Sequence, residues 1–148
     1  MPTLAINKRA HFDYTILEKY QAGLVLSGQE VKSIKTGHIS LKESFISVHN
    51  QELYLTNAHI PPYAHAGFIA NYDPTHSRKL LLKKSEIKHL TGKIKVQGLT
   101  LVPIKLYTKK RLIKLVFGIG KGKKEYDKRQ KIKKTETERK IRRTLKNF

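Results

Sequence analysis

Cysteine and tryptophan are absent from these 148 residues, methionine occurs once, and only 11 acidic side chains stand against 31 lysines and arginines. Without cysteine the fold holds no disulfide and no thiolate metal site, and a thiol nucleophile is excluded. No apolar run approaches the roughly 18 residues that a membrane span needs. The opening MPTLAINKRAHF also lacks the long apolar stretch of a secretory signal. These absences point to a protein of the reducing cytoplasm with no membrane contact. The shortage of acid leaves a formal charge of +20, which favours polyanion partners through release of condensed counterions. Nucleic acid leads that class. The length suits one compact unit with an appendage, able to bury about two thirds of its unfolded surface.

Catalytic constellations are equally scarce. Seven histidines, at 11, 38, 49, 59, 65, 76 and 89, include no HExxH or short HxH spacing of a zinc site. His11 with Asp13, or His76 with Asp73, would serve a nuclease as acid and base, yet neither pair adjoins a recognisable nucleophile or metal set. The run Gly118-Ile119-Gly120-Lys121-Gly122-Lys123-Lys124 lacks the P-loop spacing GxxxxGK[ST] and leads into charge, with no apolar helix behind it. It reads as a flexible hinge with backbone room for close approach to RNA. No enzyme, metal or cofactor is expected.

The charge is unevenly spread. Residues 121–148 carry thirteen basic and four acidic groups, against eighteen and seven in the first 120. That tail has too few apolar side chains to offset the entropy of ordering it alone. It nevertheless contains Glu125/Arg129, Asp127/Lys131, Glu136/Lys140 and Glu138/Arg142, acid-then-base pairs at spacing four that each favour a helix by about 0.2–0.5 kcal/mol. The expected division is a binding domain over 1–120 and a basic tail over 121–148, unstructured when free and helical on a partner that neutralises it.

Alternating apolar residues predict strands within 100–120, with Val102, Ile104 and Leu106 before a turn at 108–111 and Ile113, Leu115, Phe117 and Ile119 after it. A second hairpin is predicted over 45–56 around a turn at 49–52, and Phe12, Tyr14 and Ile16 supply another strand. Helices are predicted over 29–36, where Gly37 ends the pattern, and over 83–97. The fold class is mainly β: an oligonucleotide-binding-like antiparallel β-barrel, closed or nearly so, with two or three short helices.

Candidate binding residues follow from charge and shape. Asn7, Lys8 and Arg9 put an amide and two cations beside the first strand, suited to phosphates or a base edge. Lys32 and Lys35, three apart, share one side of a helix. Glu30 either accepts from a base edge or answers the charge at the helix start. Leu80, Leu81 and Leu82 cannot all point inward in a strand or a helix, so at least one reaches the surface beside Arg78 and Lys79. There it could pack on an unstacked base.

Four segments in order, NKRA, AGLVLSGQEVKSIKTG, DPTHSRKLLL and GKGKKEYDKRQ, resemble the SsrA-binding protein family (small protein B, SmpB) over nearly the whole chain. The resemblance implies an oligonucleotide-binding-type barrel with a basic C-terminal tail. It implies a non-enzymatic adaptor in trans-translation, binding the tRNA-like domain of transfer-messenger RNA (tmRNA, or SsrA) and delivering it, with elongation factor Tu, to the vacant A site of stalled ribosomes. By the same resemblance RNA contacts fall on Asn7, Lys8, Arg9, Tyr14, Tyr20, Gly23, Glu30, Lys32, Lys35, Leu81 and Lys114. Ribosome contacts fall on Gly122, Lys123, Lys124, Tyr126, Asp127, Lys128 and Arg129, at the decoding centre and along the mRNA channel. Two departures stand out. Gln21 occupies a place where the family usually has Glu. Tyr126 occupies one where it often has His, which keeps a ring for stacking and removes a titrating charge.

Two other readings make different predictions. A ribosomal or nucleoid structural protein would bind nucleic acid by charge alone and lose affinity uniformly as lysines are removed. A nuclease would shorten its RNA. DNA is not expected as a partner.

Overall fold

The structure, a computed structural model, describes residues 3–63, 71–95, 98–123, 129, 133 and 136–142. In chain order the elements are β1 (Thr3–Ile6), α1 (Ala10–Asp13), β2 (Tyr14–Leu24), α2 (Gly28–Lys35), β3 (Phe45–His49), β4 (Glu52–Thr56), β5 (Arg78–Leu81), α3 (Lys84–Ile94), β6 (Leu99–Lys109) and β7 (Leu112–Gly122). The strands form one antiparallel sheet in the order β1-β6-β7-β2-β5-β4-β3. Both predicted hairpins are present. Their turns are two residues long, Asn50-Gln51 and Lys110-Arg111, all four at positive φ, the handedness that matches the twist of the flanking strands.

The core lies on the inner face of the sheet. Leu115, Phe117 and Ile119 of β7 alternate into it and meet Leu53 and Leu55 of β4, Leu80 of β5, Ile34 of α2 and Leu90 of α3. β6 departs from the predicted alternation, because its register shifts between Pro103 and Lys105. Proline has no N–H for the ladder, and a bulge there turns the following side chain over. Val102 and Ile104 still share a face and pack with Ala10, Tyr14, Ile16 and Val116 in a second small cluster on the outer side, and the inversion falls between Ile104 and Leu106. Leu106 stays in the main core. Phe12, predicted in a strand, lies in α1, and β2 begins at Tyr14.

The sheet curls but does not close. β3 touches β6 without a ladder, because the β6 edge is already taken. β1 pairs with Lys105, Leu106 and Tyr107. Asn7 follows on, its backbone N–H donating to Ile104 O at 2.7 Å and its side-chain amide to Pro103 O at 2.8 Å.

The glycines after Phe117 are no hinge. Gly118 and Gly120 are buried within β7. A Cβ on Gly118 would stand 2.6 Å from Glu18 O and one on Gly120 2.9 Å from Val102 Cγ2. They let β2, β6 and β7 approach closely, and the strand continues through Gly122. Residues 136–142 are helical and exposed. The sequence expects order there only on binding. Two of the four acid–base pairs lie in this stretch, and the Thr137 hydroxyl donates to Lys133 O at 3.0 Å, so the helical support is local.

Candidate nucleic-acid interface

Strand pairing brings three of the candidate residues into one row. Gly23 lies opposite Lys114 in β7 on one side and opposite Leu81 in β5 on the other. The row continues through Tyr107 of β6. Since Leu115 and Ala22 point into the core, Lys114 and Gly23 face outward by alternation. Leu81 is the outward leucine of the three, 54% exposed, while Leu80 is fully buried. A Cβ on Gly23 would come within 3.4 Å of Leu81 Cδ1. The missing side chain at Gly23 is what seats Leu81. Gln21, one pair away, accepts a hydrogen bond from the Tyr107 hydroxyl, so its amide is held by the sheet.

Behind this row stands a buried charge network. Of the two readings of Glu30, base-edge acceptor or partner to the helix start, the structure has the second: Glu30 is 3% exposed and both of its carboxylate oxygens are committed. Oε1 accepts from Ser27 N at 3.1 Å while Ser27 Oγ accepts from Glu30 N at 3.2 Å, a capping box that starts α2. Oε2 accepts from Arg78 Nε at 2.7 Å and lies 3.1 Å from His76 Nε2. Burial pushes the Glu30 carboxyl up, but the Ser27 N–H and the Arg78 guanidinium outweigh it and hold the group below the ordinary range.

Arg78, 1% exposed, spends its remaining donors on Ala58 O at 2.6 Å, Pro74 O at 2.9 Å and the Tyr72 hydroxyl at 3.4 Å. Sequence reading missed this residue, taking it for a surface cation. Nothing local distinguishes a buried arginine from an exposed one. The network ties α2 to β5 at Arg78, three residues before Leu81. Lys32 and Lys35 are exposed on α2, with Lys32 Nζ 5.9 Å from the Tyr63 ring centroid.

A second group sits at the opposite end of β2, nine residues and about 30 Å of strand away. Tyr14 pairs with Gly122. The Lys123 ammonium donates to His11 O at 2.7 Å and its backbone N–H to Asp13 O at 2.8 Å. Arg9 pairs with Asp13 at 3.2 Å and lies 4.6 Å over the Phe12 ring. Asn7 Oδ1 accepts from Arg9 N at 3.3 Å, and Lys8 is exposed.

Tyr20 joins neither group. It lies on the inner side of β2, stacked on Phe117 at 5.8 Å, and its hydroxyl donates to Glu18. Burial and that carboxylate push its phenol up to about 12. Arg129 is helical and exposed, while Lys124, Tyr126, Asp127 and Lys128 lie outside the described residues.

Asp73 and His76, one of the two pairs considered for a nuclease, each have another partner. Asp73 Oδ1 accepts from Thr75 N and Thr75 Oγ1, both at 2.9 Å, and His76 turns to Glu30. Among the described residues no cluster of three or more His, Asp or Glu could hold a metal ion, and no helix is long and apolar enough to cross a membrane.

An outer row that sets an exposed leucine and a lysine on either side of Gly23 suits RNA, and comparison with known proteins decides the family. The family described as SmpB protein matches residues 4–147. The chain belongs to the SmpB family. An SsrA-binding protein of Anoxybacillus flavithermus is 52% identical over 142 residues, covering 96% of this chain and 92% of the relative. One from Ligilactobacillus salivarius is 50% identical over 145 residues, covering 98% and 93%. A solved chain described as "tmRNA-SmpB: a journey to the center of the bacterial ribosome" superposes with a TM-score of 0.68 at 47% identity, covering 84% of this chain and 87% of that one. In this SmpB-family chain the fold is a curled, open seven-stranded sheet whose buried Glu30–Arg78 pair underlies the exposed row.

Proposed function

We propose that this SmpB-family chain is an RNA-binding adaptor of trans-translation: it binds the tRNA-like part of tmRNA and carries it to stalled ribosomes. The observation that carries the reading is the Leu81–Gly23–Lys114 row. An exposed leucine held on rigid strands can pack against an unstacked base, and the neighbouring cations Lys114, Lys32 and Lys35 can hold the backbone around it. Relatives named SsrA-binding protein and a neighbour named for tmRNA and the ribosome support the same partner.

In this reading Glu30 positions α2 and touches no base. Asn7, Lys8, Arg9 and Tyr14 hold a second stretch of the same RNA, and the chain from Gly122 onward, with Lys123, Lys124, Tyr126, Asp127, Lys128 and Arg129, enters the decoding centre and the empty mRNA channel. The binding unit then ends at Lys123, which is fastened to α1, and not at residue 120. Elongation factor Tu accompanies delivery, the compartment is the cytoplasm, and bond-making is left to the ribosome.

The test is binding of the purified full chain to tmRNA and to an ordinary tRNA of similar charge, each at two salt concentrations. A preference for tmRNA that survives the higher salt is expected. Equal binding to both RNAs, collapsing together as salt rises, would replace the adaptor with a charge-driven structural protein.

A further inference from the structure

The cationic side chains of α3 divide into two flanks. His89 and Lys93 face β2, where Glu18 lies 3.9 and 3.5 Å from them. Lys84, Lys88 and Lys95 recur at spacings of four and seven, which returns to a single helix face. Among the described residues none of these three has a carboxylate within 4 Å. With Thr91 they form one wall of a groove of about 400 Å³, whose other wall is the β3–β4 turn at Asn50, Gln51 and Glu52. The carboxylate in that lining, Glu52, is engaged with Lys79 at 3.6 Å.

Two features of this groove are left unanswered within the chain. Lys83 and Lys84 put cations at the start of α3, where the helix dipole favours acids and Glu86 is the acid of the first turn, and Lys83 supplies no side-chain cap. The Thr91 hydroxyl is shielded from solvent without a hydrogen-bond partner among the described residues. A bound polyanion would relieve the first of these and would meet donors from the turn amides. Lysine is a point charge suited to phosphate, and the lining has no arginine fork for a carboxylate and no aromatic ring for a base. The groove spans 11 residues of helix, about 16 Å, which is several phosphates of a strand.

The groove is separate from the interface described above. Leu90 carries α3 into the inner core and His89 meets the inner-facing Tyr20, while Gly23 and Lys114 face outward from the other side of the sheet. We propose that the α3 groove holds the sugar–phosphate backbone of ribosomal RNA, without reading sequence, while tmRNA occupies the outer face. The proposal rests on the adaptor reading.

The test uses the full chain with Lys84→Gln, Lys88→Gln and Lys95→Gln combined, all exposed positions, with an unchanged melting profile as the control for folding. Binding to tmRNA alone should stay within about twofold. Binding of the chain–tmRNA complex to vacant ribosomes should weaken at least tenfold, with a log K against log salt slope shallower by about 2–3, the contribution of three cations. A photo-crosslinker at position 88 should join to ribosomal RNA. Equal loss of tmRNA binding would assign the groove to tmRNA. Unchanged ribosome binding would make it a solvated lysine face, and a crosslink to ribosomal protein would make it a protein contact; each overturns the proposal. Failure of the adaptor reading looks different, since the unmodified chain would then show no preference for tmRNA.

Discussion

The two ends of the β2–β7 ladder present similar chemistry on different foundations. At the Gly23 end, Leu81 and Lys114 stand on strands backed by Glu30 and Arg78, a pair almost fully withdrawn from water and tied to four chain segments. At the Tyr14 end, the binding groups are held near the surface by separate pairings, Arg9 by Asp13, the Asn7 side-chain amide by Pro103 O and the Lys123 ammonium by the carbonyl of His11. An interface that must present one apolar side chain in one place needs a rigid base. An interface that holds phosphates by charge tolerates movement. The difference teaches that mutational cost will be concentrated behind the first end and spread thinly over the second.

Arg78→Met is the largest way to break that contrast. It leaves Glu30 buried without its cation, a loss of about 3–5 kcal/mol when one partner of a buried pair is removed. Urea unfolding should show it, and adding Glu30→Gln should recover part of the loss. Recovery absent from the double variant would mean that Arg78 matters through its carbonyl contacts alone.

Glu30 also sets an acid limit. Its folded pKa lies below the unfolded carboxylate value of about 4.3. Its contribution to stability is therefore complete above that value and is lost as pH falls through the folded one. The unfolding free energy of the parent should drop more steeply as pH falls below the unfolded value of about 4.3 than that of Glu30→Gln. Parallel slopes would show that other carboxylates govern the acid limb.

Leu81→Ala separates the surface from its foundation. Half its area is already in water, so stability should change by no more than about 0.5 kcal/mol. Affinity for tmRNA should nonetheless fall about tenfold or more, on the scale of a lost base contact of about 1–3 kcal/mol. A variant that binds as tightly as the parent would remove the leucine from the interface and leave the row to Lys114.

Much of this architecture was legible in the chain itself. Alternation located both hairpins, the helix periods located α2 and α3 to within a few residues, and the triple leucine required a surface member, which is Leu81. Four things were hidden, each for a reason of tertiary structure. Alternation from Ile104 to Leu106 fails because a bulge leaves Val102 and Ile104 on the outer face and turns Leu106 into the core. Glycine after Phe117 reads as freedom in one dimension, while in three it is close contact between β2, β6 and β7. Glu30 and Arg78 are 48 residues apart in sequence, and nothing near either one announces that the other neutralises it. Open edges were hidden too: the barrel pattern is present, but β1 and Asn7 occupy the edge that closure would require.

Arg9→Ala tests the other end of the ladder and should have the smallest effect. Its ion pair with Asp13 is largely exposed, 65% on the arginine side, and pairs of this kind contribute about 0–1 kcal/mol to stability. Since Arg9 would contact phosphate, its removal should weaken tmRNA and ordinary tRNA alike and reduce the salt slope by about 1. The preference for tmRNA should survive, because discrimination sits about 30 Å away at Leu81. Should Arg9→Ala instead erase that preference at constant salt slope, the Tyr14 end reads shape or sequence as well. The contrast between a rigid reading end and a tolerant holding end would then give way to two reading ends on different foundations.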